Sequence, residues 1–219
     1  MTKLVVFDCD GTLVDSQAAI CRSMDAAFAA AGLPAPDRNA VRRIVGLSLP
    51  QALLELAPEA SEEHRRHALE AYKASFRAAR SEGTLEQPLY PGMAALLQRL
   101  HQAGRALGVA TGMSDRGLTA CLTRHGVREL FITLQTADRH PSKPHPAMLG
   151  AALFEAGATP GETVLIGDTV FDMAMAHAAG VRAIGVAWGY HDPAELLAAG
   201  AVGVAQSAEE LEELIDGRG

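Results

Sequence analysis

The stretch "KLVVFDCDGTLVDS" constrains this chain more than any other. Leu4, Val5, Val6 and Phe7 are apolar without alternation. That is the pattern of a strand covered on both faces, as strands in parallel sheets are. The run stops on Asp8, and Asp10 follows two places later, with Gly11 and Thr12 behind it. A buried strand that ends on two neighbouring carboxylates must deliver them to a place where their charge is balanced.

The rest of the chain repeats the strand signal. Runs at 106–110, 130–133, 163–166 and 182–186 read as further strands, with a weaker one at 202–205. Helical patterns separate them. Pro91 and Gly104 bracket "PGMAALLQRLHQAG", and Ser114 and Gly126 bracket "SDRGLTACLTRHG", start and stop signals of the expected kind. Pro146 opens a helix through 154, and 168–180 reads as a loop followed by a helix. This βαβ series predicts an α/β fold: a Rossmann-like, three-layer core built on an open parallel sheet.

One segment interrupts the rhythm. From about 16 to 87 there is no good strand. Helices are expected from Asp15 or Ser16 to Gly32, and from Ser61, where Glu62 and Glu63 suit the positive end of a helix. The expected organisation is a core of residues 1–15 and 88–219, with an all-helical cap domain, 16–87, inserted after the first strand. The two connections, near 14–16 and 84–88, suit a hinge.

Composition narrows the function. With 219 residues, 48% of them hydrophobic, the chain can bury a sizeable core. A formal net charge of -7 argues against nucleic-acid binding, which needs a basic face. No apolar run reaches the roughly 18 residues of a membrane span. The N-terminal pattern has no basic region or cleavage site, so a cytoplasmic location is expected. Cys9, Cys21 and Cys121 match neither zinc-site spacing nor a Cys-x5-Arg loop and read as packing thiols. His64, His67, His101 and His125 read as solvated, and Met173 and Met175 as packing.

In open α/β sheets ligands bind beyond the carboxyl ends of the strands. After the first strand come Asp8 and Asp10. After the second comes Thr111, and after the third strand and its loop comes Lys143, between Ser142 and Pro144. After the fourth come Asp168 and Asp172. The chain has only three lysines, which gives weight to the one in this Pro-rich loop. Crowded carboxylates resist ionising unless a cation is shared among them. An all-oxygen donor set suits a hard ion, Mg2+ in the first place, and Mg2+ implies a phosphoryl group. Lys143 and Thr111 supply a point charge and a donor for phosphoryl oxygens. One carboxylate of the Asp8/Asp10 pair then serves as nucleophile and the other as its acid–base partner.

With these motifs in order, the chain resembles the haloacid dehalogenase superfamily over essentially its whole length. It is similar to the branch with an all-helical cap, which includes phosphoglycolate phosphatases. "DCDGTL" matches the first motif, Thr111 the second, Lys143 the third and "GDTVFD" the fourth. The resemblance implies that Asp8 becomes an aspartyl phosphate and that Asp10 protonates the leaving oxygen and later activates water. It implies a metal held by Asp8, the Asp10 backbone carbonyl and Asp168, with Asp172 orienting water or a ligand from outside that set. Thr111, Gly112 and Lys143 would bind the phosphoryl group. Many relatives carry Lys where this chain has Met113.

The expected activity is therefore a Mg2+-dependent phosphatase acting on small phosphate monoesters, as a monomer or homodimer. Alternatives on the same scaffold are a sugar phosphomutase of the β-phosphoglucomutase kind, a pyrophosphatase, or a non-catalytic phosphate-binding regulator. Asp10 argues against the dehalogenase and phosphonatase branches. The only cap lysine, Lys73, lies inside a regular helix and is expected to be exposed. In "RRIVGLSLPQALLEL", the loop that relatives turn toward the active site, Arg43, Gly46 and Ser48 are expected to set a preference for small anionic esters such as 2-phosphoglycolate. Trp188, Tyr190 and His191, after the fifth strand, either line the rim or pack beneath a loop.

Overall fold

The computed structural model describes residues 2–217. Met1, Arg218 and Gly219, which belong to the expected core segment, lie outside them. Six parallel strands form one sheet: β1 (Leu4–Phe7), β2 (Ala106–Thr111), β3 (Phe131–Thr136), β4 (Thr163–Gly167), β5 (Arg182–Val186) and β6 (Val204–Ala205), in the order β3-β2-β1-β4-β5-β6. The central strand, β1, pairs with β2 on one side and β4 on the other, Phe7 standing beside Val109 and Ile166. The winding reverses there, so a crevice opens at the carboxyl end of β1.

The alternation of side chains along β1 divides the core into two layers. Val5 and Phe7 pack with α5 (Met93–Gln102), α6 (Asp115–Arg124) and α10 (Ala208–Ile215). Leu4 and Val6 pack with α7 (Ala147–Ala156), α8 (Val170–Ala178) and α9 (Pro193–Ala198). Met173 and Met175 are buried in this second layer, as expected. All four residues of β1 are 0% exposed, which is why the strand tolerates no polar residue before Asp8.

β2 and β4 each run one residue beyond the sequence reading, to Thr111 and Gly167, and two strands depart from it further. β3 begins one residue later and runs three further, because Leu130 closes a 3-10 turn and the polar Gln135 and Thr136 are buried in the sheet. β6 is reduced to two residues.

Between β1 and β2 lie α1 (Gln17–Ala30), α2 (Arg38–Arg43), α3 (Leu49–Leu56) and α4 (Glu62–Ser81). They share a hydrophobic cluster of their own, with Met24, Ala27 and Phe28 of α1 packed with Val41, Leu53 and Ala68. Ser61 caps α4 by accepting the His64 N–H, as its position suggested. The chain leaves and re-enters the sheet through adjacent connections. Val14 bridges Leu89, and the Asp15 N–H donates to the Pro88 carbonyl at 2.8 Å.

Candidate active site

Asp8 follows the last residue of β1, Thr111 closes β2, and Asp168 follows the last residue of β4, so sheet register alone brings them to one edge. Asp8, Asp168 and Asp172 each present a carboxylate oxygen within 4.8 Å of the others, and all three are buried. The Lys143 ammonium sits among them, 2.9 Å from Asp8 Oδ1 and 2.6 Å from Asp172 Oδ1.

Each carboxylate is held differently. Asp8 Oδ1 accepts from Lys143 and from the Cys9 N–H at 2.6 Å, while Oδ2 is buried and has no hydrogen-bond partner among the described residues. Asp168 Oδ1 accepts from the Thr12 hydroxyl at 2.7 Å and Oδ2 from the Tyr190 N–H at 2.9 Å. Asp172 has both oxygens engaged, Oδ1 by Lys143 and Oδ2 by the hydroxyl (2.7 Å) and N–H (3.1 Å) of Thr169, whose side chain caps α8. Asp10 is half-buried and accepts the Ser16 hydroxyl at 2.5 Å.

The electrostatics follow from this crowding. Burial, opposed by Lys143 and reinforced by Asp172 and Asp10, raises the Asp8 carboxyl to about 7. Burial and then repulsion from Asp8 and Asp172 push Asp168 well above the usual carboxylate range. Burial raises Asp10 despite the Ser16 hydrogen bond. Burial alone would lower Lys143, but Asp172 and Asp8 outweigh it and hold its proton more tightly than usual. One ammonium thus faces three buried carboxylates, and the centre keeps protons that ordinary carboxyls would lose.

Close backbone approach shapes the walls. A Cβ on Gly11 (φ +84°) would lie 2.2 Å from Asp168 Oδ2, and one on Gly189 2.2 Å from Asp168 Cβ. Only residues without side chains let these two loops close on Asp168.

Opposite the carboxylates is a cavity of about 380 Å³, lined on the sheet side by Asp8, Asp10, Thr111 and Gly112. The loop after α2 covers it. Gly46 lies over Thr169, the Leu47 carbonyl lies against Gly112, and the Ser48 N–H donates to the Ser142 hydroxyl at 2.8 Å.

Of the three cap residues expected to read the substrate, only Gly46 lines the cavity. Arg43 is corrected. Its guanidinium pairs with Glu195 on α9 at 2.6 Å and does not line the cavity. Ser48 serves through its backbone, on Ser142, and does not line the cavity. Trp188 packs on Tyr90 and donates to the Thr12 carbonyl, Tyr190 and His191 are buried, and none of the three lines the cavity. His191 Nδ1 accepts the Val170 N–H, which leaves Nε2–H to donate to the Arg43 carbonyl at 3.1 Å. Lys73 is exposed, as expected, yet reaches the cavity wall. His125, read as solvated, is half-buried with Nε2 2.7 Å from the Gln87 carbonyl.

Sequence reasoning missed Ser16, Thr12 and Thr169 as partners of the carboxylates. Ser16 reads as a helix cap, but its hydroxyl makes no cap hydrogen bond and turns to Asp10 instead. A hydroxyl beside the motif was the available signal.

A doubly wound parallel sheet whose switch point gathers carboxylates around one buried lysine, beneath a helical segment, defines an α/β enzyme of the hydrolase type. The chain belongs to the haloacid dehalogenase-like hydrolase family, whose model matches residues 5–186. It is 38% identical to the probable phosphatase IndB of Dickeya dadantii over 91% of this chain and 87% of that protein. It is 30% identical to a phosphoglycolate phosphatase of Vibrio vulnificus over 97% of this chain and 96% of the relative. The crystal structure of a predicted phosphatase from Clostridium acetobutylicum superposes with a TM-score of 0.88, at 26% identity and covering 99% of both chains.

Proposed function

We propose that this phosphatase hydrolyses small anionic phosphate monoesters, of the phosphoglycolate kind, through an aspartyl phosphate on Asp8, with Mg2+ as its metal. The observation that carries the reading is Asp8 itself. One of its oxygens is fixed by Lys143 and the Cys9 N–H, and the other is buried without a hydrogen-bond partner among the described residues, beside two further carboxylates. A buried, unpaired carboxylate oxygen is costly unless a ligand uses it.

The donor set fits a hard divalent cation: it is all oxygen and buried, and its three carboxyls outnumber the one Lys143 ammonium beside them. Asp8, the Asp10 carbonyl and Asp168 would hold the ion. Asp172, which accepts from the Lys143 ammonium at 2.6 Å, would orient from outside that set. When bound, Mg2+ supplies neutralisation of the carboxylates and of the phosphoryl oxygens.

The remaining chemistry belongs to the chain. The Thr111 hydroxyl, the Gly112 N–H and the Lys143 ammonium hold the phosphoryl oxygens. Asp8 Oδ2 attacks phosphorus, the ester bond breaks, and Asp10 gives its proton to the leaving oxygen. The raised proton affinity of Asp10 suits that step. Asp10 then takes a proton from water as the water attacks the aspartyl phosphate, which frees phosphate and restores Asp8. The Ser16 hydroxyl holds one Asp10 oxygen and leaves the other for these transfers. Residues 16–87 act as a cap domain that closes over the site and excludes water.

Acid quenching during turnover, followed by peptide mapping, is expected to find an acyl phosphate on the peptide containing Asp8. Chelation should abolish phosphate release and Mg2+ restore it, while Ca2+ inhibits through its looser coordination. Turnover by Asp8→Asn, or full activity in excess chelator, would overturn the reading.

A further inference from the structure

The chain has an excess of acid, yet cations without partners collect on one wall of the cavity. α4 presents Leu69, Tyr72, Lys73, Phe76, Arg77 and Arg80 to it, a single stripe at helical spacing. The stripe changes character along the helix. Leu69, Tyr72 and Phe76 are apolar or aromatic, with Tyr72 and Phe76 rings 5.0 Å apart, and Arg77 and Arg80 follow toward the C-terminal end. From the sheet side Arg116 of α6 joins them. No hydrogen bond or ion pair among the described residues holds the side chain of Arg77, Arg80 or Arg116. Most other arginines among the described residues have a hydrogen-bond or ion-pair partner, Arg43 with Glu195 and Arg124 with the Leu85 carbonyl among them.

A cation near a helix C-terminus is favoured by the helix dipole. That accounts for Arg80, in the last turn, but not for Arg77 or for Arg116 on another helix. A second feature points the same way. Gln87, 4% exposed and lining the same cavity, has an amide nitrogen that is buried without an acceptor. Unpaired donors of this kind await an anion.

Resting on the phosphatase reading, we propose that Arg77, Arg80 and Arg116 form a second anion subsite. Within the class of small anionic monoesters, the subsite then favours those with an apolar or aromatic body, seated on Tyr72 and Phe76, between the phosphoryl group and a distal carboxylate or phosphate. The cavity, about 380 Å³, exceeds what a two-carbon leaving group fills, so such a body has room beside the phosphoryl end. Specificity moves from the loop at Arg43 to the exposed-looking helix α4.

Two aryl phosphates with near-equal leaving groups test this: 3-(4-phosphonooxyphenyl)propionate and its neutral counterpart, 4-propylphenyl phosphate. A third ester with a distal phosphonate distinguishes the two anions. Wild type is expected to favour the charged esters in kcat/KM by tenfold or more. Arg77→Ala, Arg80→Ala and Arg116→Ala should each shrink that preference severalfold, acting mainly through KM, and Arg77→Lys should recover part of it. Arg66→Ala, on α4 but away from the cavity, should change nothing. Calorimetric binding of the same esters to Asp8→Asn reads the subsite without turnover. Equal use of charged and neutral esters by wild type, or equal losses on both in the variants, would overturn the subsite and leave the phosphatase standing. Failure to hydrolyse any of the esters, with no binding to Asp8→Asn, would remove both.

Discussion

Lys143 and Asp8 form an ion pair of 2.9 Å whose side chains are 0% and 1% exposed. Such a pair contributes less to net stability than its contact suggests, because both charges have left water. Removing one partner is another matter. Lys143→Met would leave Asp8, Asp168 and Asp172 without a counter-charge, and a broken buried pair costs about 3–5 kcal/mol. Denaturant unfolding in chelator is expected to read a loss of that order, part of it recovered in Mg2+, with turnover gone in both. Unchanged stability would mean that the carboxylates are protonated or solvated well enough to need no ammonium.

The same crowding gives the metal-free protein a pH signature. Asp8 binds its proton up to about 7 in the folded state, against about 4 in an unfolded chain. Between those values the native state holds a proton that the unfolded state has released, so stability is full below about pH 4 and falls as pH rises to about 7. Asp8→Asn removes this contribution. Its unfolding midpoint in chelator should fall less than that of wild type across the same range, and should equal or exceed it near neutral pH. Parallel curves for the two proteins would show that Asp8 does not titrate in this way.

Asp10→Asn should discriminate by leaving group. An amide cannot donate the proton that an alkoxide leaving group needs, whereas an aryl oxide departs without one. General acid catalysis contributes about 10²–10⁴-fold. The loss in kcat should therefore approach that size on an alkyl phosphate and be far smaller on an aryl phosphate. Equal losses on both would assign Asp10 to positioning alone.

How far the chain can be read in advance depends on whether a feature is set locally or by packing. β1, β4 and the helices between the strands follow from apolar runs and from Pro, Ser and Gly punctuation, and the structure has them where those signals stand. Asp8, Thr111, Lys143 and Asp168 were legible because strand ends in a doubly wound sheet must converge. β3 was misjudged because Gln135 and Thr136, polar in the sequence, are buried by pairing with Ala110 and Thr111. The cap misled for a related reason. Arg43 stands close to the Gly46 turn in the sequence, yet where its side chain goes is settled by tertiary contacts, here Glu195 and His191. The α4 stripe was present in the sequence, but its mixture of Leu, aromatic and Arg residues fits neither a core face nor a wet face.

Gly112 connects the sheet to the inserted helical segment through close backbone contact. A Cβ there would lie 2.5 Å from the Leu47 carbonyl oxygen and 2.8 Å from that of Gly46. Both are backbone atoms, so no side chain can turn aside to make room. Gly112→Ala must therefore lift the covering loop or shift the end of β2. The loop is the weaker partner. It is tied down by the Ser48–Ser142 hydrogen bond and by the exposed Arg43–Glu195 pair, and exposed pairs contribute little. β2, by contrast, is paired on both sides within the sheet. The variant should keep its fold and hold the cap partly open. Amide exchange should quicken at 44–48 and across the connections at 84–88, and should respond less to a trapped phosphate analogue than in wild type. Displacing positioning groups by about 1 Å can cost on the order of a hundredfold, so kcat/KM should fall by roughly ten- to a hundredfold. Arg43→Ala, which removes only the exposed pair, should quicken exchange at the same loop slightly and leave the preference between charged and neutral esters where it was. If Gly112→Ala exchanges and turns over as wild type does, the loop yields without consequence, and the helical segment is not a gate for this site.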